Sequence, residues 1–149
     1  MRIKSRKKVD CKPYSRLAEI YDFVMSHLDY KRWTDYIESV FSHFDLNPSD
    51  MLDVACGTGT MALELHSRGY NTSGIDGSWS MVEVARAKSQ KAGVQIDLSC
   101  GDIRDIKKCR SFEVVLCLYD SLNYLMEIEE VNKALKSIRQ ILEPGGIFI

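Results

Sequence analysis

The stretch Met51-Leu-Asp-Val-Ala-Cys-Gly-Thr-Gly-Thr60 constrains the chain most, because it sets an acid inside a short apolar run that ends in a glycine turn. Met51, Leu52, Val54 and Ala55 read as a buried strand, and Gly57 and Gly59 as a turn where backbone can approach a ligand closely. Residues 60–68 read as a helix whose amino end points back at that ligand. A carboxylate inside a buried strand is costly unless it is hydrogen-bonded or faces a polar ligand. Asp53 therefore implies either a cap on the following turn amides or a ligand above the strand end.

From residue 50 onward, short apolar runs alternate with amphipathic helices. That alternation predicts an α/β, Rossmann-like architecture: a mostly parallel sheet with helices on both faces. Strands are expected at about 51–55, 71–75, 94–98 and 112–118, with a fifth beginning at Ile147-Phe148-Ile149. Ser78 or Ser80 can cap a helix running toward Lys91; Ser80 with Glu83 fits a capping box and Gly93 fits the stop. A later helix carries Ile128, Val131, Leu135, Ile138 and Leu142 on one face, before the turn Pro144-Gly145-Gly146. Ahead of the first strand, one helical stretch aligns Tyr14, Leu17, Ala18 and Tyr21, and a second aligns Trp33, Tyr36, Ile37, Val40, Phe41 and Phe44. Aromatic stripes at this spacing are more often core than ligand contacts, so Trp33 is expected in the core. An apolar strand at the end of the sequence would leave a sheet edge exposed, so the domain is expected to be truncated after strand five.

The 149 residues suit one domain, and a formal charge of −1 with 45% apolar content excludes a strong electrostatic bias toward nucleic acid or membrane. The five cysteines are odd in number and lack C-x-x-C spacing, which argues against a disulfide framework or a zinc site and suggests reduced thiols in a cytoplasm. No apolar run reaches the roughly eighteen residues of a membrane span. His27, His43 and His66 show no metal-like grouping, so no metal is expected. Residues 1–13 form a basic tail, expected to be disordered; it leaves RNA open as a partner but has no interleaved aromatics for stacking bases. Oligomeric state is not fixed by any of these features.

Gly57-Thr-Gly59-Thr-Met-Ala62 satisfies the G-x-G-x-x-G/A dinucleotide fingerprint, and Asp76 lies near the distance expected for an acid that binds ribose hydroxyls. On that match alone, an NAD-dependent oxidoreductase is an alternative. Two further acids point away from it. Asp53 lies within the first strand, and Asp102 follows the third in Cys100-Gly-Asp-Ile103. Acids after successive strands outline a site that is electronegative rather than phosphate-seeking.

In this arrangement the chain resembles a class I S-adenosylmethionine-dependent methyltransferase, from about Tyr14 to its last residue. Leu52-Asp-Val-Ala-Cys-Gly-Thr-Gly59 resembles that family's first motif, and Gly74-Ile-Asp76 with Ser78 and Met81 its second. Gly101-Asp-Ile103 resembles the adenine-binding turn. Phe112-Glu-Val-Val-Leu-Cys-Leu118 with Tyr119-Asp-Ser-Leu-Asn-Tyr124 resembles the fourth strand and its loop, and Leu142-Glu-Pro-Gly-Gly146 the turn before strand five. Ala55 departs from the pattern, standing where a glycine is frequent, and is expected to be tolerated because a methyl group adds little bulk.

The resemblance implies S-adenosylmethionine as cofactor, held by Asp53, Ala55, Cys56, Gly57 and Gly59 at its methionine end. Asp76 would take the ribose hydroxyls, with Gly77 and Met81 beside the adenine, while Asp102 and the Ile103 amide would bind the adenine edge and Leu118 would line the site. For Asp76 and Asp102 the plain alternative is turn capping. Tyr14 and Tyr21 would belong to an amino-terminal helical lid over 14–47, in a cofactor-binding domain over 14–149. Asp120 and Asn123, with Ser121, stand where the methyl group should lie and are the catalytic candidates. The implied function is methyl transfer to a small-molecule acceptor; the alternative is a non-catalytic S-adenosylmethionine-binding module. The loop lacks the Asn- or Asp-Pro-Pro-aromatic pattern of amino-directed nucleic-acid methyltransferases.

Overall fold

The computed structural model describes residues 17–149, so the basic tail expected over 1–13 and Tyr14 lie outside the described residues. Helices α1 (Tyr21–Val24) and α2 (Tyr30–His43) precede β1 (Asp50–Val54), α3 (Thr60–Ser67), β2 (Asn71–Asp76), α4 (Trp79–Ala92) and β3 (Asp97–Cys100). A 3-10 turn (Ile103–Asp105), β4 (Phe112–Leu116), a second 3-10 turn (Ser121–Tyr124), α5 (Ile128–Ile141) and β5 (Leu142–Phe148) complete the order. All strand pairs are parallel, in the order β3-β2-β1-β4-β5. The chain steps outward from β1 to β3, then returns to the other side of β1 at β4. That reversal opens a crevice above the carboxyl ends of β1 and β4, the place where open α/β sheets bind ligands.

Helices cover both faces. Leu52 and Val54 of β1 pack with Val115, Cys117 and the α5 residues Ile138 and Ile141. Met51 turns the other way, to Val114, Leu116, Ile37 and Phe41 of α2, and Met61 and Leu65 of α3. Val82 and Ala85 of α4 close over Leu98 and Cys56. Two-sided burial is why β1 and β4 read as continuous apolar runs. Each large buried side chain contributes about 1.5–3 kcal/mol, against about 0–1 for a surface ion pair, so these clusters hold the sheet. Glu113 adds a polar pin: its carboxylate accepts from the Ser49 amide at 2.6 Å, the Ser49 hydroxyl at 3.0 Å and the Asp50 amide at 2.9 Å. Those bonds hold it below the usual carboxylate range and fasten the start of β1 to β4.

Several local expectations shift. The third strand was expected at 94–98 but runs Asp97–Cys100, because Val94 is held in the capping turn just after α4. Gly93 adopts φ +69, its amide and that of Val94 donate to Gln90 and Ser89, and the Ser89 hydroxyl holds the Val94 carbonyl. On α2, Ile37 and Phe41 are buried with Thr34, but Trp33 is 36% exposed and Tyr36 64%, so the inward face is narrower than the aromatic stripe. On α5 the buried face is Ala134, Ser137, Ile138 and Ile141, leaving Ile128 and Leu135 exposed. The rotation brings small residues against the 103–105 turn, where the Ile106 amide donates to the Ser137 hydroxyl at 2.7 Å. Leu142 leaves the helix for β5, pairing with Phe112 ahead of a register shift. Helix α4 enters at Ser78, whose amide donates to Asp76, so Asp76 does the work expected of the Ser80–Glu83 box. Among the described residues no helix is long and apolar enough to cross a membrane.

Candidate functional site

The crevice is a cavity of ≈ 1030 Å³. Its floor is the turn after β1. Ala55 adopts φ +63, Gly57 +55 and Gly59 +74, while the Cys56 amide donates to the Ile75 carbonyl at 3.0 Å and the Gly59 amide to the Cys56 carbonyl at 2.9 Å. This tight reversal ends β1 and aims α3 at the cavity. The left-handed conformation costs an L-residue about 1–2 kcal/mol, so although the methyl adds little bulk, as expected from the sequence, Ala55 carries a backbone cost. Ala55, Cys56 and Gly57 line the cavity. Gly59 does not; a Cβ there would meet the Ala85 Cβ at 2.9 Å, so its place is the packing of α3 on α4.

Asp53 lines the cavity with only 4% of its surface exposed. No hydrogen bond among the described residues reaches its carboxylate. Burial and the neighbouring Asp76 push it up to about 8. A buried acid that no neighbour hydrogen-bonds keeps its proton until a donor or cation meets it. The capping alternative therefore fails at Asp53. At Asp76 it holds in part: Oδ2 accepts the Gly57 amide and Oδ1 the Ser78 amide, both at 2.8 Å. Burial raises this carboxyl despite those bonds. Each oxygen keeps a lone pair for a ligand hydroxyl. Because the Gly57 amide serves Asp76, it is not presented to a phosphate.

Asp102 lines the far end and is already engaged. Its Oδ1 accepts the Arg104 amide at 2.8 Å, and the Arg104 guanidinium reaches both oxygens, with Nη2 at 2.5 Å from Oδ2. The arginine holds this carboxyl below its ordinary value. Arg104 also pairs with Glu130, whose other oxygen accepts the Met126 amide at 3.2 Å. Gly77, Met81, Ile103 and Leu118 line the cavity as well. Tyr21 enters from α1 and Asp120 from the loop after β4, while Asn123 stands outside the lining.

Several lining residues escaped the sequence reading, among them Tyr30, Trp79, Arg104, Tyr119 and Tyr124. Trp79 and Tyr119 could have been found by position, since each follows a strand's carboxyl end. Tyr30 lies on a helix remote in sequence and carries no such signal. Tyr119 adopts φ +65 and stacks on Trp33, with centroids 5.2 Å apart and planes at 24°, which explains why Trp33 is not in the core. The Cys117 thiol is pushed up to about 12, chiefly by burial, and Cys56 higher still, so neither is poised as a thiolate.

Comparisons with known proteins agree with this geometry. A family profile described as "Methyltransferase domain" matches residues 51–146. A Streptomyces venezuelae protein named dTDP-3-amino-3,4,6-trideoxy-alpha-D-glucopyranose N,N-dimethyltransferase is 32% identical over 134 residues, 89% of this chain and 55% of that one. A ubiquinone biosynthesis O-methyltransferase of Rickettsia canadensis (strain McKiel) is 32% identical over 114 residues, 76% of this chain and 47% of its own length. The solved structure of an S-adenosylmethionine-dependent methyltransferase from Clostridium acetobutylicum ATCC 824 superposes with a TM-score of 0.79 at 33% identity, covering 92% of this chain and 56% of that one. The chain spans about half the length of the curated relatives it matches. With the profile running from β1 to the turn within β5 and an acid closing each of the first strands, the chain belongs to the class I S-adenosylmethionine-dependent methyltransferase family.

Proposed function

We propose that this chain forms the S-adenosylmethionine-binding part of an enzyme that methylates a small molecule. The observation that carries the reading is Asp53, a buried carboxyl facing a large cavity with no hydrogen bond from any described residue. It calls for a cation, and the cofactor's methionine end supplies an ammonium, with a sulfonium beside it. Asp76 receives the ribose hydroxyls on the lone pairs its turn amides leave unused, and Gly77 and Met81 flank the adenine. Asp102 lies at the adenine end with both oxygens filled by the Arg104 amide and guanidinium, so it takes the adenine amino group by exchanging one of those bonds for it. Tyr21 on α1 covers the cofactor from above.

When bound, the cofactor supplies an activated methyl group open to direct displacement. The chain's own task is then to align an acceptor and exclude water, with no covalent protein intermediate. Asp120 at the methyl end orients the acceptor. The cavity slightly exceeds the range of about 300–1,000 Å³ typical for one drug-sized ligand, which leaves volume for a small acceptor beside the cofactor. Relatives named for a dTDP-linked amino sugar and for ubiquinone biosynthesis support acceptors of that size. A dinucleotide fits poorly, because four aspartates line the cavity against one arginine that is itself paired.

Titration calorimetry with S-adenosylmethionine, S-adenosylhomocysteine and NAD tests the proposal. Both sulfur ligands should bind and NAD should not, and Asp53→Asn should weaken the sulfur ligands at least tenfold. A folded chain that binds NAD but neither sulfur ligand overturns it.

A further inference from the structure

Resting on the cofactor reading above, we infer that the methyl acceptor is an amine, received as an ammonium ion at the cavity wall formed by Tyr119 and Asp120. The first support is charge. Among the described lining residues the acids are Asp53, Asp76, Asp102 and Asp120, and the cation is Arg104. Arg104 is consumed by Asp102 and Glu130. The cofactor, with sulfonium, ammonium and carboxylate, brings one net positive charge to Asp53 and Asp76. Among the described residues no cation answers Asp120, an exposed acid at the cavity rim, so this part of the cavity disfavours phosphate and carboxylate acceptors and attracts a cation.

The second support is the aromatic wall. Tyr21, Tyr30, Tyr119 and Tyr124 all line the cavity. Tyr119 is held in a left-handed backbone that L side chains rarely adopt, and its ring is clamped against Trp33 at 5.2 Å. Ring faces carry negative potential and attract ammonium groups, most of all methylated ones, whose hydration is weak. Tyr30 is buried enough that its hydroxyl is pushed up to about 12, so it stays a neutral ring and donor near Asp53.

The third support is what a hydroxyl acceptor would need. An alcohol or phenol must lose its proton to a base poised near neutrality; the described lining residues include no histidine and no lysine, and Asp53, the lining carboxyl pushed up to about 8, is taken by the cofactor's ammonium in this reading. An amine brings its own lone pair. Once the arriving ammonium has shed one proton to water at the open mouth, the nitrogen lone pair forms the new N–C bond. The C–S bond breaks with its electron pair kept by sulfur, so one proton is released per methyl transferred.

Binding to the chain loaded with S-adenosylhomocysteine gives a readout separate from turnover. Choline and its neutral isostere 3,3-dimethylbutan-1-ol should be compared by calorimetry. Choline is expected to bind at least tenfold more tightly; Tyr119→Leu should cut that preference about five- to tenfold, and Tyr119→Phe, which keeps the ring, should retain it. Asp120→Asn should weaken choline and leave the isostere unchanged. Equal binding of the two probes by a chain that does bind the cofactor product overturns this inference alone. Loss of preference in Tyr119→Phe as well as Tyr119→Leu overturns the role of the ring. Failure to bind either sulfur ligand overturns the parent reading and this one with it.

Discussion

Asp53 sits in β1 almost wholly buried, and burial with Asp76 beside it raises its carboxyl to about 8 from an ordinary 3.8. Between those values the folded chain holds a proton that the unfolded chain releases. Stability should therefore fall as pH rises through that window, and the penalty should be complete above 8. Asp53→Asn should raise the unfolding free energy of the ligand-free chain by about 2–4 kcal/mol at pH 8.5, less than the full shift implies because relaxation and water soften the burial. Near pH 4 the two proteins should be alike. Urea denaturation at both pH values checks this, and a variant that keeps the wild-type pH slope would remove Asp53 as its source. The same substitution should weaken the cofactor, so stability and binding pull this residue in opposite directions. The sequence exposed the conflict as an acid in an apolar run. It did not reveal that no described residue hydrogen-bonds Asp53 while Asp76 and Asp102 find turn amides, because those amides are placed by neighbouring segments.

At the scale of elements, two glycines separate backbone strain from packing. Gly93 ends α4 at φ +69 and Gly59 opens α3 at φ +74. A Cβ at Gly93 meets nothing within 4 Å, whereas at Gly59 it meets the Ala85 Cβ at 2.9 Å. Gly93→Ala should cost about 1 kcal/mol from conformation alone. Gly59→Ala should cost a further 1–3 kcal/mol, roughly, because α3 and α4 must move apart. Equal losses in chemical denaturation would mean that the two helices do not depend on close approach at this point. Elements were largely legible in the sequence, since the alternation of runs predicted the β1–α3–β2–α4–β3 order. Their faces and ends were less so. The inward side of α5 is chosen by the 103–105 turn, and the start of β3 by the cap of α4 and the ladder with β2.

Across the whole molecule, α1 buries no residue, and Phe23 is 82% exposed. Asp22 is a tie that crosses to three other segments. Its carboxylate accepts from Thr58 at 2.6 Å and Thr60 at 3.2 Å, and pairs with Lys88 of α4 at 2.7 Å. Burial would raise this acid, but the bonds from Lys88 and Thr58 outweigh it and hold it below its ordinary 3.8. The tie is therefore present above that value and lost as pH falls beneath it. Asp22→Ala should speed cofactor dissociation about three- to tenfold in stopped-flow displacement. High salt should bring the wild type toward the variant, since the pair is partly exposed and screened. A dissociation rate indifferent to both changes would show that α1 does not retain the cofactor.

The sequence by itself determined the α/β layering, the turn of Gly57 and Gly59, and the acids Asp53, Asp76 and Asp102 at successive strand ends. Hydrophobic period and strand-end chemistry are local, and the parallel topology then carries those ends to one edge. Tertiary structure alone decided what surrounds them: Tyr119 on Trp33, Glu130 on Arg104, and Asp22 with Lys88. All three contacts join positions far apart in the chain, whereas the Arg104–Asp102 pair is local. Such pairings leave no periodic trace, because they are fixed by how helices settle on the sheet, not by any neighbour in sequence.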